Sequence, residues 1–116
     1  MARPHESLDA WQQAMRLVKA IYLITQSFPR GELYGLTSQM RRAAVSVPSN
    51  LAEGAARASR KEFAQFISIS IGSLSELETQ MLIAAELGYL PRQSKVFSHL
   101  ERVAQLLSGL HRNVTG

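Results

Sequence analysis

The sequence predicts an all-α protein, an antiparallel up-down-up-down four-helix bundle filling residues 1–116 as a single domain. Three observations predict it. Leucine and alanine (15 and 14) outnumber valine and isoleucine (6 each), which disfavours strands because these select β-branched residues. Four segments carry apolar residues at steps of three and four, the helical period. The connections between them are short, as in bundles whose consecutive helices are antiparallel neighbours. A chain of 116 residues buries most of its apolar surface without staples. Cysteine is absent, which excludes a disulfide framework, a thiolate zinc site and a cysteine nucleophile.

The first helix is expected over about 8–28. Leu8, Trp11, Met15, Val18 and Tyr22 form one stripe and Ala14, Leu17, Ile21, Ile24 and Phe28 lie beside it, so more than one face is apolar. Ser7 is the candidate N-cap, and Pro29 disfavours helical geometry at Phe28. The second helix, about 36–57, has the stripe Leu36, Met40, Ala43, Val47, Leu51 and Ala55 and contains Pro48. Its apolar phase continues across the proline, so the expectation is a kink at Pro48 and not a restart at Ser49. Ser46, Ser49 and Asn50 stand ready for the freed carbonyl.

The third helix, about 60–87, opens on Ser59-Arg60-Lys61-Glu62, a capping-box spacing, and ends at Gly88, a left-handed stop. Its core stripe runs Phe63, Ile67, Ser70, Leu74, Leu77, Met81, Ala84. Ser68, Ser70, Gly72, Ser73 and Ser75 crowd its middle, which lets a neighbouring helix approach closely, either within the bundle or across a subunit interface. Glu76 and Gln80 share a stripe with Phe66, Ile69, Ser73, Ile83 and Leu87, so they are expected to be partly buried and to need partners. Arg41 or Arg42 is the candidate ion-pair partner of Glu76. The fourth helix, about 92–112, follows Pro91 and carries Val96, Leu100, Val103, Leu107 and Leu110.

Residues 1–7 lack the apolar core of a signal peptide, and no apolar run reaches the ~20 residues of a spanning helix. The expectation is a cytoplasmic protein with no membrane partner. No cofactor or metal is expected: the positions three before His99 and His111 are Val96 and Ser108, so the Glu-x-x-His motif of carboxylate metal bundles is absent. Glu53, Glu76, Glu78, Glu86 and Glu101 read as solvated or ion-paired. Phosphate loops, nucleophile elbows and H-E-x-x-H do not occur. One enzymatic pattern does. Arg92 and His99 stand seven apart, similar to the R-x4–6-H element of helical ribonucleases of the HEPN superfamily. On one helix they would share a face, where arginine holds a phosphate and histidine moves a proton. An ordinary exposed pair is the competing reading.

The formal charge is +4, and ten of the thirteen cations are arginine, the type matched to phosphate forks. The third helix is net acidic, whereas the second and fourth segments are net basic. Arg57, Arg60 and Lys61 gather at the turn into the third helix, near free amides that favour an anion. With Arg41, Arg42, Arg92, Lys95 and Arg102 they form the candidate set for backbone-type contact with RNA or DNA. A solubility surface, or intersubunit salt bridges in a protein-only scaffold, would use the same residues. Only 19% of residues are charged, below the roughly 25% of soluble domains, and the first and fourth helices have apolar second faces. Both features fit contacts between subunits.

The run Leu33-Tyr34-Gly35-Leu36-Thr37-Ser38-Gln39-Met40-Arg41-Arg42-Ala43-Ala44-Val45-Ser46-Val47-Pro48-Ser49-Asn50-Leu51-Ala52-Glu53-Gly54, followed by Lys61-Glu62-Phe63 and Gly72-Ser73-Leu74-Ser75-Glu76-Leu77-Glu78, resembles the four-helix bundle family of 23S rRNA intervening-sequence proteins. The resemblance extends from Trp11 to the final helix. Ala55-Ala56 depart from it where an aromatic or glycine is common, as does Pro91 where Ser or Thr often opens the fourth helix. The resemblance implies an antiparallel bundle that assembles into a ring, commonly a homopentamer, with no established enzymatic activity. It also implies kinship with the accessory protein of diversity-generating retroelements, a basic pentamer that binds nucleic acid and a reverse transcriptase. A non-enzymatic, self-assembling bundle with a basic rim is the function expected from the sequence.

Overall fold

The computed structural model describes residues 2–116 and is all-helical across them. Four helices, α1 (Asp9–Thr25), α2 (Leu36–Ala55), α3 (Arg60–Glu86) and α4 (Lys95–Thr115), are joined by turns, with one-turn 3-10 segments at Pro4–Ser7 and Arg30–Glu32. Each helix packs on two others, α1 on α2, α2 on α3, α3 on α4 and α4 on α1; the diagonal pairs do not meet among the described residues. Opposite ends pair: Arg60 at the head of α3 donates to the carbonyls of Asn113 and Val114 at the tail of α4, and Arg41 near the head of α2 reaches Thr25 at the tail of α1. Leu17, Ile21, Met40, Leu51, Ile67, Leu77, Met81 and Leu107 fill the centre, all fully buried.

The helix ends depart from expectation for local reasons. Ser7 is not the N-cap of α1. It lies inside the 3-10 turn that Pro4 starts, its hydroxyl donates to Pro4 O, and Leu8 takes the cap position without a side-chain bond. α1 stops at Thr25, whose hydroxyl donates back to Ile21 O; the chain then folds inward so that Phe28 is buried against Tyr89. α4 begins at Lys95, three residues after the expected start, because Ser94 Oγ accepts from Val96 N and caps it. It runs on to Thr115.

α3 begins and ends as its sequence indicates. Ser59 Oγ accepts from Glu62 N, although the reciprocal bond from the Ser59 amide to the Glu62 carboxylate is not made. At the other end Tyr89 N donates to Ala84 O and Gly88 N to Ala85 O, with Gly88 at φ +81°. That double closure is a Schellman motif, and its positive φ suits glycine.

α2 is helical through Pro48 without a restart at Ser49. Asn50 Nδ2 donates to Ser46 O and not to the Ala44 carbonyl that the proline leaves free. The seam between α2 and α3 is tied across this point by Ser70 Oγ, fully buried, donating to Val47 O (2.9 Å), and by the hydroxyls of Ser46 and Ser73 (2.8 Å). Of the glycines at this seam, it is Gly54 of α2 and not Gly72 of α3 that permits a close approach. A Cβ on Gly54 would lie 2.5 Å from Phe66 Cβ and 3.1 Å from Phe63 Cδ1, whereas one on Gly72 would meet nothing within 4 Å.

Two turns at the opposite end are also tied. Tyr89 Oη donates to Glu32 Oε2 (3.0 Å), and Glu32 Oε1 accepts from Leu36 N at the head of α2. The bond to Glu32 holds the Tyr89 phenol above the ordinary tyrosine value, helped by desolvation and by the carboxylate's charge. A pKa raised on folding stabilises the fold while the phenol is protonated, and that contribution is lost as pH climbs past the unfolded value of about 10.

Two outcomes follow. Gly54→Ala forces Phe66 and its helix outward and should cost about 1–3 kcal/mol, read as a lower urea midpoint with the slope unchanged. In alkaline melts above pH ~10, the wild type should lose stability more steeply than Tyr89→Phe, which lacks the titrating hydroxyl; parallel curves would refute the role given to this bond.

Candidate interaction surfaces

The eight candidate cations do not share one face. Arg41 is turned inward to α1: its Nε donates to Thr25 Oγ1 (2.9 Å) and its guanidinium lies 4.6 Å from the centre of the Tyr22 ring. Arg57 pairs with Glu53 (4.0 Å), one helical turn away, and covers the Phe66 ring at 5.0 Å. Arg60 serves as a C-cap of α4, with Nη2 at 2.7 Å from Asn113 O. These three already have work inside the subunit.

Arg42, Lys61, Arg92, Lys95 and Arg102 are exposed and bond to no other side chain among the described residues. Lys95 and Arg102, seven apart on α4, lie on one face of that helix, and Arg92 is in the turn just before it. Lys61 stands at the far end of the bundle, at the head of α3. The concentration expected where α2 turns into α3 therefore reduces to Lys61 and the outer edges of two engaged arginines.

Arg92 and His99 are not on one helix. α4 starts after Arg92, and His99 is half-buried, its Nε2 3.2 Å from Gln13 O of α1. A carbonyl only accepts, so in this contact Nε2 is assigned as the N–H and is tied to α1, which leaves the lone pair on Nδ1. The geometry on which the ribonuclease pattern relied is missing. Among the described residues no group of three or more His, Asp or Glu side chains is placed to hold a metal ion, and no helix is long and apolar enough to cross a membrane.

The expected ion pair is corrected as well. Glu76 is exposed, with neither Arg41 nor Arg42 in ion-pair range. Arg41 is committed to α1, while Arg42 and Glu76 only face each other across a shallow groove that also includes Gln39 and Ser46. Gln80 is buried, as expected, and its one bond is a long 3.5 Å contact from Nε2 to Glu76 Oε2; its Oε1 has no partner.

Most of the stripe that carries Glu76 proves to be a surface, although Gln80 on it is buried and Ser73 bonds to Ser46 of α2. Ile69, Ile83 and Leu87 are 45–54% exposed, and Phe66 is half-buried beside them. A second apolar face lies in the groove between α1 and α2, lined by Trp11, Met15, Val18, Val45, Pro48 and Ala52. The two differ in composition and lie on adjacent sides of the bundle, one on each flank of α2. Helix four, expected to present an apolar second face, does not: Phe97, Ala104 and Leu106 pack against the core. Tyr34, in the turn before α2, is 94% exposed; an aromatic residue placed in a turn and not on a helical stripe is the one signal of this in the sequence.

Residues 6–109 match the family model described as 23S rRNA-intervening sequence protein. No curated protein matches the chain.

The inward use of Arg60 has a measurable consequence. Arg60→Ala should lower stability by about 1 kcal/mol through the lost cap on α4, whereas Lys61→Ala next to it should leave the thermal midpoint unchanged.

Proposed function

We propose, on the premise that this chain belongs to the 23S rRNA-intervening sequence protein family, that it is the subunit of a non-enzymatic, cytoplasmic, ring-like homopentamer whose exposed cations hold nucleic-acid phosphates. The observation that carries the reading is the pair of unlike apolar faces on either flank of α2. A two-fold dimer would need one self-complementary patch, whereas two different patches suit a head-to-tail contact, in which each copy offers its α3 stripe to the α1–α2 groove of the next. Adjacent sides of a four-helix bundle face about 90° apart; contacts at that angle close a ring after about four copies, and an opening to about 108° closes it after five. Faces on opposite sides would build a filament instead.

In such a ring α4 lies clear of both contacts. Lys95, Arg102 and the nearby Arg92 stay on the outside and recur once per copy, so weak phosphate contacts add along one strand. A protein-only scaffold, with a reverse transcriptase among the partners the resemblance implies, is the reading left if no nucleic acid binds.

Light scattering of the purified protein should give the mass of five copies, and Ile83→Asp should reduce it to a monomer with unchanged helical content. RNA affinity should fall steeply between low and physiological salt. A wild-type monomer overturns the assembly; an affinity indifferent to salt overturns the phosphate contact.

A further inference from the structure

We propose that the end of the bundle formed by the α1–α2 and α3–α4 turns is a seat for single-stranded nucleic acid, in which one base stacks on Tyr34 while Arg30, Arg92 and Lys95 take the flanking phosphates. The inference rests on the nucleic-acid reading above and gives it a place and a strand form.

Tyr34 is the starting observation. The other two tyrosines are occupied, Tyr22 under the Arg41 guanidinium and Tyr89 between Phe28 and Glu32. Tyr34 is 94% exposed, and its ring and hydroxyl meet no partner among the described residues. An aromatic ring held wholly in water gains from any flat apolar surface placed on it, and bases supply such a surface regardless of sequence.

The turn that presents it is braced. Leu33 N donates to Arg30 O and Gly35 N to Glu32 O, and the Glu32 carboxylate is held at both oxygens, by Leu36 N and by Tyr89 Oη. The turn closes so tightly that a Cβ on Gly35 would stand 2.9 Å from Glu32 Oε1. A ring on a braced turn loses little freedom on binding, the condition under which stacking energy appears as affinity.

The same bracing gathers charge. Arg30 is four residues before Tyr34, and the Glu32–Tyr89 bond joins their turn to the one containing Arg92, from which α4 begins at Lys95. All three cations are exposed and none is in an ion pair. The carboxylates at this end are Glu32, which accepts from the neutral Leu36 amide and Tyr89 phenol and keeps its charge, and Glu86, so three cations stand against two anions around the ring. Cations around an exposed ring fit an anion that carries a flat face, a description met by an unpaired nucleotide; in a duplex the faces are already stacked on each other.

The test is fluorescence anisotropy with a labelled oligouridine strand and, separately, a labelled RNA duplex, on the full chain. Tyr34→Ala should weaken strand binding about 5- to 150-fold, the range for loss of one stacked base, with duplex binding unchanged. Tyr34→Phe should bind the strand as the wild type does, because stacking needs no hydroxyl. Arg92→Ala should reduce the salt slope by about 0.7, while Tyr34→Ala leaves it unchanged. The exposure of Tyr34 keeps both variants folded, as circular dichroism would verify. Strand binding by Tyr34→Ala equal to wild type overturns the seat and leaves the phosphate reading standing; no binding of either probe by the wild type removes both. A smaller assembly mass for Tyr34→Ala in light scattering would assign the ring to a contact between copies and also overturn the proposal.

Discussion

The seam between α2 and α3 is the constraint on which the rest of the molecule is arranged. With Phe66 set against the bare backbone of Gly54, the two helices come closer at this end than side chains on both would allow. Farther along, Ser70 donates to a carbonyl of α2 next to Pro48, and Ser46 meets Ser73. Each of these bonds satisfies a polar group that close packing removes from water. The seam so formed is polar and narrow. It turns Leu74, Leu77 and Met81 inward and leaves Ile69, Ile83 and Leu87 on the side of α3 that looks outward.

The second tie, Glu32 with Tyr89, does for the turns what the seam does for the helices. α1 and α2 are joined by a ten-residue connection, 26–35, and α3 and α4 by residues 87–94; connections of that length would otherwise be among the more mobile parts of a bundle. Glu32 caps the head of α2 and accepts from Tyr89, and Phe28 folds in against the same tyrosine. One carboxylate thus fixes two turns and a helix start. The Glu32 carboxylate is held toward Leu36 and Tyr89, and it forms no ion pair with Arg30 or Arg92 among the described residues.

Helical class, element number and most of the core were legible because period and propensity agree along the chain: Met40, Val47, Ile67, Leu77 and Leu107 all fall on their expected stripes, whereas α1, apolar on more than one face, buries Leu17 and Ile21 and leaves the adjoining stripe of Met15 and Tyr22 exposed. Gly88 and Ser59 were legible as end signals since each is a local interaction within a few residues. Ser94 carries the same kind of signal for α4, and the helix starts there and not directly after Pro91, since a proline can precede a helix by several residues. What could not be read was anything set by the relative rotation of two helices. The stripe of Glu76 looks the same in sequence whether it meets α2 or water. Arg41, Arg57 and Arg60 look like free charges until Thr25, Phe66 and the tail of α4 are in place. The Arg92–His99 spacing held meaning only if the helix began before Arg92, and a cap two residues later removed it.

The division of arginines into engaged and free bears on the modest charge of the chain. A formal +4 is small for a nucleic-acid protein judged as a monomer, and the engaged arginines reduce the usable share further. Affinity for a polyanion follows the number of phosphates neutralised along one strand, not the net charge of one subunit. The proposed ring would present Arg92, Lys95 and Arg102 once per copy at fixed spacing, so that binding at one copy would raise the effective concentration of the strand at the next. Of the carboxylates of α3, Glu76 lies on the face a neighbouring copy would cover, whereas Glu78 shares a groove with Glu101 of α4 and opposes phosphate there. Low charge per subunit and tight binding by the assembly are therefore compatible, and the two apolar faces that flank α2 are the feature that makes them so.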